Sequence, residues 1–279
     1  MVVIISDCHG CYYTLVKLIE RIKFIDEHAQ FVFVGDYVDR GAFSKRVVQY
    51  VLDLQETGCV LSPLRGNHDD MMDAMLNGKS YTIEEKSAFD LVSWWTLCGF
   101  HTTLDDYGVK SHRKGDSSAE DILSEFREKV PQTHKDFFRQ LPFWWENDTH
   151  FVGHGYYDPT KQLPLHVKFI NKPHETLWER FSLETMPVWD KIGVFGHTPV
   201  RSYDGAVTPI KLGKLRLIDT CAFGDGYLCG YNCEEDDHLL QATDRRDIGG
   251  DNRDKQNQFS ENIGIQLQSI LREKHVKNF

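Results

Sequence analysis

The sequence has no window approaching the ~20 apolar residues that a membrane span needs, and no lipidation motif is evident. Basic residues are in the minority: 32 Lys and Arg against 42 Asp and Glu give a formal charge of −10. A field of that sign repels phosphate backbones, which excludes a general nucleic-acid binder. The stretch from Met1 to Gly10 passes from a short apolar run straight into Asp7 and His9, without the basic region and apolar length of a secretory signal. The reading therefore expects a soluble, cytoplasmic protein with no membrane partner. Cysteines are few and odd in number, seven in all, which argues for reduced thiols over a disulfide framework. The close pairs Cys8/Cys11 and Cys229/Cys233 raise a structural zinc or a redox couple. Zinc sites normally combine two well-spaced doublets, so buried small side chains are expected instead. What remains is ordinary globular material: 279 residues, 41% hydrophobic, 12% aromatic and 27% charged, enough for one large domain or two small ones.

Apolar β runs alternate with amphipathic stretches along the first two hundred residues, which predicts a largely buried sheet covered by helices. The runs are Val2–Ser6, Phe31–Val34, Cys59–Leu64, Thr149–Gly153 and Ile192–Phe195. Helical spacing follows the first at Leu15, Leu18, Ile19 and Ile22, and the second at Val47, Val48, Val51 and Leu52. From about 71 to 145 the sequence becomes helical and aromatic, with Trp94, Trp95, Phe137, Phe138, Trp144 and Trp145, and reads as a helical insertion packed on the sheet. Leu215–Ile218, Tyr227–Tyr231 and His238–Leu240 read as strands of a closing antiparallel sheet. Residues 241–262 are polar and read as a linker. Ile263, Leu267, Ile270 and Leu271 then suggest a terminal helix over 263–279, which leaves 1–240 as the main unit.

The chemistry lies where each β run stops. The first ends at Asp7-Cys8-His9-Gly10, the second at Gly35-Asp36-Tyr37-Val38-Asp39-Arg40-Gly41 and the third at Arg65-Gly66-Asn67-His68-Asp69. The fourth ends at His154 and the fifth at Gly196-His197. All five tips carry a hard or borderline metal-ligand type at the strand end where open α/β sheets bind ligands. One Asp-x-His alone is ordinarily a helix cap or a polar pair; five tips in succession form a restrictive signature. Imidazole, carboxylate and amide oxygen without thiolate suit a pair of divalent ions, with Mn²⁺ the first choice and Fe or Zn²⁺ alternatives. Two metals about 3.5–4 Å apart need a shared carboxylate, and Asp36, central among the tips, is the natural bridge.

With DCHG, GDYVDRG, LRGNHD, FVGHG, VFGHTP and IDT followed by GDGYL, the sequence from Val2 to about Tyr231 resembles the phosphoprotein phosphatase family of calcineurin-like metallophosphoesterases. The resemblance implies an α/β fold, a four-layer sandwich of two mixed β-sheets flanked by helices, with the metal centre at one edge. It implies that Asp7, His9 and Asp36 hold one metal, and that Asp36, Asn67, His154 and His197 hold the other. His68 matches the family's general acid and Asp39 the carboxylate that orients it. Arg40 matches a phosphate-gripping arginine, Arg180 is the candidate for a second, and Asn67 borders the substrate. Arg65 is expected to brace loops. The fourth tip departs from the family's Phe-Val-His-Ala-Gly, because His154 stands one place late, which makes His150 the fallback ligand. Asp69 replaces a Glu common in eukaryotic protein phosphatases, and Cys221 stands where a Gly is frequent. The implied activity is metal-dependent hydrolysis of phosphoserine or phosphothreonine in proteins, or of another small phosphoester. The alternatives are symmetrical hydrolysis of dinucleoside tetraphosphates and a catalytically dead binding module that keeps the fold.

Overall fold

Four β-branched residues in a row favour extended backbone, and they form β1 (Val2–Ile5). The computed structural model describes residues 1–78, 88–162 and 173–248. Val3 and Ile5 point to a helix-covered core while Ile4 points to the opposite face, the period-two alternation of a strand buried on both sides. β2 (Gln30–Phe33) repeats it, with Phe31 and Phe33 on the helix side and Val32 on the other. β3 (Val60–Pro63) continues the parallel set. The crossovers are α1 (Tyr12–Ile25), burying Leu15, Leu18, Ile19 and Ile22, and α2 (Ser44–Glu56), burying Val47, Val48, Val51 and Leu54.

After β3 come α3 (Asn67–Asn77), α4 (Ala88–Leu97), α5 (His101–Asp106), α6 (Ala119–Lys129) and α7 (Gln132–Gln140). Arg65 braces them from full burial: its guanidinium lies 3.2 Å from Asp73 and 3.4 Å from Asp70 and donates to the Phe138 carbonyl at 2.6 Å. The aromatic stretch does not stay helical to its end. Trp144 and Trp145 belong to β4 (Trp144–Glu146), because Pro142 after Leu141 cannot continue the helix.

The second sheet adds β5 (His150–Gly153), β6 (Ile192–Phe195), β7 (Ile210–Leu212) and β8 (Leu215–Leu217) in the order β4-β5-β6-β8-β7. The first is completed by β9 (Tyr227–Asn232) and β10 (Asp237–Ala242), giving β10-β9-β1-β2-β3. Both sheets are mixed. The single closing antiparallel sheet expected from the late runs is therefore incorrect. β8 pairs parallel with β6 in the second sheet, whereas β9 pairs antiparallel with β1 in the first. Alternation marks a strand but does not name its neighbour.

Ile4, Val32, Val34, Val152, Val194, Ile218 and Tyr231 fill the space between the sheets. The outer face of the second sheet packs Phe151, Phe195 and Leu217 against Phe181, Trp189 and Leu177, the last from α8 (Pro173–Trp178). The polar run from 241 is in part structured: Gln241 and Ala242 finish β10, and Asp247 is fully buried. Its carboxylate accepts from the Tyr13 and Thr14 backbone N–H groups at 3.0 and 2.8 Å and from Thr14 Oγ1 at 2.6 Å. It thus supplies the cap that Cys11, at the start of α1, does not. The expected linker from 249 on and the expected terminal helix lie outside the described residues. Among the described residues no helix is long and apolar enough to cross a membrane.

Candidate metal centre

Tight turns at the strand tips turn the polar side chains inward. His9, Asp36, Asp39, Arg40 and His197 all have positive φ, between 40° and 71°, a conformation that non-glycine residues adopt at a cost of order 1–3 kcal/mol each. The tips hold one another in it: the Asp36 carbonyl accepts from the Cys8 and His9 N–H groups at 3.1 and 2.8 Å, and the His9 carbonyl from Gly41 at 2.9 Å. Asp69 ties the second tip to the third, its carboxylate accepting from Asp36 N at 2.7 Å, Gly66 N at 2.8 Å and Tyr37 N at 3.1 Å. Two glycines are required by proximity, since a Cβ on Gly66 would strike Asp36 Oδ1 and one on Gly196 would strike Asp7 Oδ2.

Asp7, His9, Asp36, Asn67, His154 and His197 converge from all five tips. Each imidazole spends its proton on a backbone carbonyl. His9 Nδ1 donates to Val38 O at 2.8 Å, His154 Nδ1 to Val34 O at 2.9 Å and His197 Nε2 to Trp178 O at 3.2 Å. The remaining ring nitrogens of His154 and His197 then present bare lone pairs, and that of His9 turns its lone pair inward as well, the arrangement that orients histidine ligands for a metal. His154 Nε2 and His197 Nδ1 lie 2.9 and 3.0 Å from Asn67 Oδ1, and His154 Nε2 lies 3.5 Å from Asp36 Oδ1. Four acceptors meet there with no proton to share, which fits a cation. On the other side His9 Nε2 is 3.3 Å from Asp36 Oδ2, and the buried Asp7 Oδ2 has no hydrogen-bond partner.

The electrostatics agree. Burial, then the charge of Asp219, pushes the Asp7 carboxyl well above the usual range; burial, then Asp7 and Asp69, does the same to Asp36. Burial holds His9 and His154 well below the usual imidazole value, and burial with the nearby Arg180 charge puts His197 at about 4. Neutral imidazoles beside crowded carboxylates are the state in which a dication binds and relieves the repulsion. Cysteine takes no part in either group of candidate ligands found among the described residues, His9/Asp36/His68 and Asp36/His154/His197. Cys8, Cys11, Cys221, Cys229 and Cys233 are buried, and Cys59 and Cys98 are half-buried.

His68 stands beside the cluster with its Nδ1 donating to Asp39 Oδ2 at 2.6 Å. Arg40 reaches between the rings, donating from Nη1 to His9 Nε2 at 2.8 Å and from Nη2 to His68 Nε2 at 3.1 Å, while its guanidinium lies 4.4 Å from the Phe223 ring centre. Burial raises the Asp39 carboxyl to about 7 against the pull of Thr103 and Trp95, which hydrogen-bond to it. Arg180 is on the exposed surface just past α8, near enough to His197 to press on that ring. His150 is at the opposite end of β5 from His154, 3.4 Å from the Tyr231 hydroxyl and away from the cluster.

Sequence reasoning missed four residues around this centre. Trp95 and Thr103 hold Asp39, Phe223 underlies Arg40, and Asp219, whose Oδ1 accepts from Cys221 N at 2.8 Å, leaves a buried Oδ2 without a partner near Asp7. Trp95 lay in an aromatic stripe that reads as core. Asp219 lay in a quoted motif with no role attached.

A family model for calcineurin-like phosphoesterases matches residues 1–207. Symmetrical bis(5'-nucleosyl)-tetraphosphatase of Cronobacter sakazakii is 31% identical over 100 residues, 33% of this chain and 34% of that protein. The serine/threonine-protein phosphatase 2B catalytic subunit A1 of Saccharomyces cerevisiae is 43% identical over 70 residues, 24% of this chain and 12% of that one. The asymmetrical bis(5'-nucleosyl)-tetraphosphatase of Bacillus subtilis is 35% identical over 83 residues, 27% and 34% of the two chains. The similarity thus spans about a third or less of these relatives' lengths. A solved structure provisionally assigned as a diadenosine tetraphosphatase superposes with a TM-score of 0.53 at 18% identity, covering 86% of this chain and 91% of that one. At that identity the likeness concerns the fold.

Proposed function

The chain belongs to the calcineurin-like phosphoesterase family, and from that premise we propose that it is a metal-dependent phosphomonoesterase acting on phosphoserine or phosphothreonine in proteins. Asp7, His9 and Asp36 would hold one divalent ion and Asp36, Asn67, His154 and His197 the other, with Mn²⁺ the best match to these donors. The catalytic unit runs from residue 1 through β10 to the Asp247 cap of α1. Bound there, the two ions would lower the pKa of water and offset charge on the phosphoryl oxygens.

The chain's own groups supply the rest. Arg40 presents a fork of donors to the phosphoryl oxygens, and Arg180 approaches from the rim. Asn67 borders the same oxygens. Once protonated at Nε2, with Arg40 turned from that nitrogen to the phosphoryl oxygens, His68 gives this proton to the leaving alkoxide and returns to the neutral ring, and Asp39 at Nδ1 fixes the tautomer and stabilises the ring while it is charged. The observation that carries this reading is the Asp39–His68–Arg40 row, 2.6 and 3.1 Å between successive partners, with a single guanidinium fork at its end. That is provision for one phosphoryl group and one leaving oxygen.

The second reading, hydrolysis of dinucleoside tetraphosphates, is favoured by the similarity to the two tetraphosphatases. A four-phosphate chain would call for more cationic contacts than Arg40 and Arg180, the two placed toward the centre among the described residues. Comparison of kcat/KM for a phosphothreonine peptide and for diadenosine tetraphosphate, both with Mn²⁺, decides between them. The peptide is expected to win. A tenfold preference for the dinucleotide, about 1.4 kcal/mol of transition-state stabilisation, would replace the first reading by the second.

A further inference from the structure

The Asp39 carboxylate is held by more than His68. Trp95 Nε1 donates to Oδ2, the oxygen that also receives His68 Nδ1. Thr103 Oγ1 donates to Oδ1 at 2.6 Å. The Asp39 N–H in turn has Ser44 Oγ and Thr103 Oγ1 within 3.0 Å. Both donors come from the helical insertion, Trp95 near the end of α4 and Thr103 within α5, and both are fully buried. The indole is locked in place: its ring stacks on Phe100 at 3.6 Å between centres and 8° between planes, with the Phe126 ring tilted against it at 6.0 Å between centres. The turn joining the two helices also touches the next residue, because Gly99 O accepts from Arg40 N at 3.2 Å. A Cβ on Gly99 would come within 3.0 Å of Arg40 Cγ.

Asp39 has positive φ (71°) and sits on a turn, so its own backbone does not fix where its carboxylate points. A carboxylate has two oxygens to orient, and donors on both from rigid neighbouring elements define its plane. We propose that Trp95 and Thr103 are positioning residues for proton donation by His68: they aim the Asp39 carboxylate so that His68 Nε2 faces the leaving oxygen. The insertion, whose sequence looks like packing, thereby forms the outer part of the acid assembly. This rests on the assignment of His68 as general acid.

Thr103→Val removes the hydroxyl at nearly constant shape, and Trp95→Phe removes the N–H while keeping an aromatic ring on Phe100. The measurement is kcat for phenyl phosphate, a poor leaving group, and for p-nitrophenyl phosphate, a good one, with bound metal and inhibition by inorganic phosphate recorded on each variant. Both variants are expected to lose about tenfold on phenyl phosphate, part of the 10²–10⁴-fold worth of a general acid, and less than threefold on p-nitrophenyl phosphate. Metal content and phosphate inhibition should stay at the parent level, and Thr103→Ser should restore the parent ratio. In a His68→Asn background Thr103→Val should cost nothing further. Equal losses on both substrates, or a full additional loss in the His68→Asn background, would overturn the proposal. A leaving-group-independent loss in His68→Asn alone would instead remove the acid assignment, and this proposal with it.

Discussion

Asp36 does opposite jobs with its two halves. Its backbone carbonyl fastens the first tip, and its carboxylate faces His9 at 3.3 Å on one side and His154 at 3.5 Å on the other, while Oδ1 also accepts from the His68 N–H at 3.0 Å. Asp36→Asn keeps the shape and removes the charge. It is expected to lower metal content at both positions and to reduce kcat by at least about 10²-fold, the scale of removing one electrostatic contact to the transition state. Elemental analysis beside turnover checks this, and two ions still bound per chain would contradict the bridging role. His68→Asn should behave in the complementary way, with metal retained and kcat down about 10²–10⁴-fold for phenyl phosphate. The loss should shrink for p-nitrophenyl phosphate, whose leaving group needs little protonation. Both residues were legible in the sequence because tips and motif coincide there. Arg180 was weakly legible, since nothing in Leu-Trp-Glu-Arg says which way an exposed side chain faces.

Among the elements, the parallel strands and their crossovers could be read because β-branched runs and 3.6-residue spacing are local signals. Partner choice was not local: β8, a three-residue strand, goes to the second sheet, and β4 is an aromatic strand that continues a helical, aromatic stretch. One side chain links the two sheets at this level. Asp236, in the turn between β9 and β10, accepts from Arg216 Nε of β8 at 2.7 Å and Nη2 at 2.8 Å, and from the Tyr231 hydroxyl at 2.6 Å. Arg216, outweighing burial, holds the Asp236 carboxyl below its ordinary value. A carboxyl depressed in the folded state adds stability above its unfolded pKa, about 3.9, and that stability is lost as pH falls through the folded value. Asp236→Asn, which tolerates the positive φ of 49° at this position, should therefore cost about 1 kcal/mol at pH 7. That is a charge-assisted bond discounted for the side chain's partial exposure. The deficit, read as ΔG of urea unfolding, should narrow progressively as pH falls below the unfolded value of about 3.9; an equal deficit at pH 7 and pH 2 would refute the linkage.

At the scale of the whole molecule, two mixed sheets share an apolar interior and bring five tips to one place, and the cost of that convergence is a buried crowd of carboxylates in a chain already at −10. A cation bound only by the folded state stabilises it by mass action. Mn²⁺ should thus raise the Tm of chelator-stripped protein, and Asp36→Asn should blunt the rise; an equal rise in that variant would place the binding elsewhere. The central claim is that phosphoester hydrolysis depends on divalent ions held by these tips. Its most direct test is the turnover of p-nitrophenyl phosphate by the full chain, stripped with chelator and then titrated with Mn²⁺. No turnover in the stripped protein and recovery saturating near two ions per chain is the predicted result, whereas full activity without metal would contradict it.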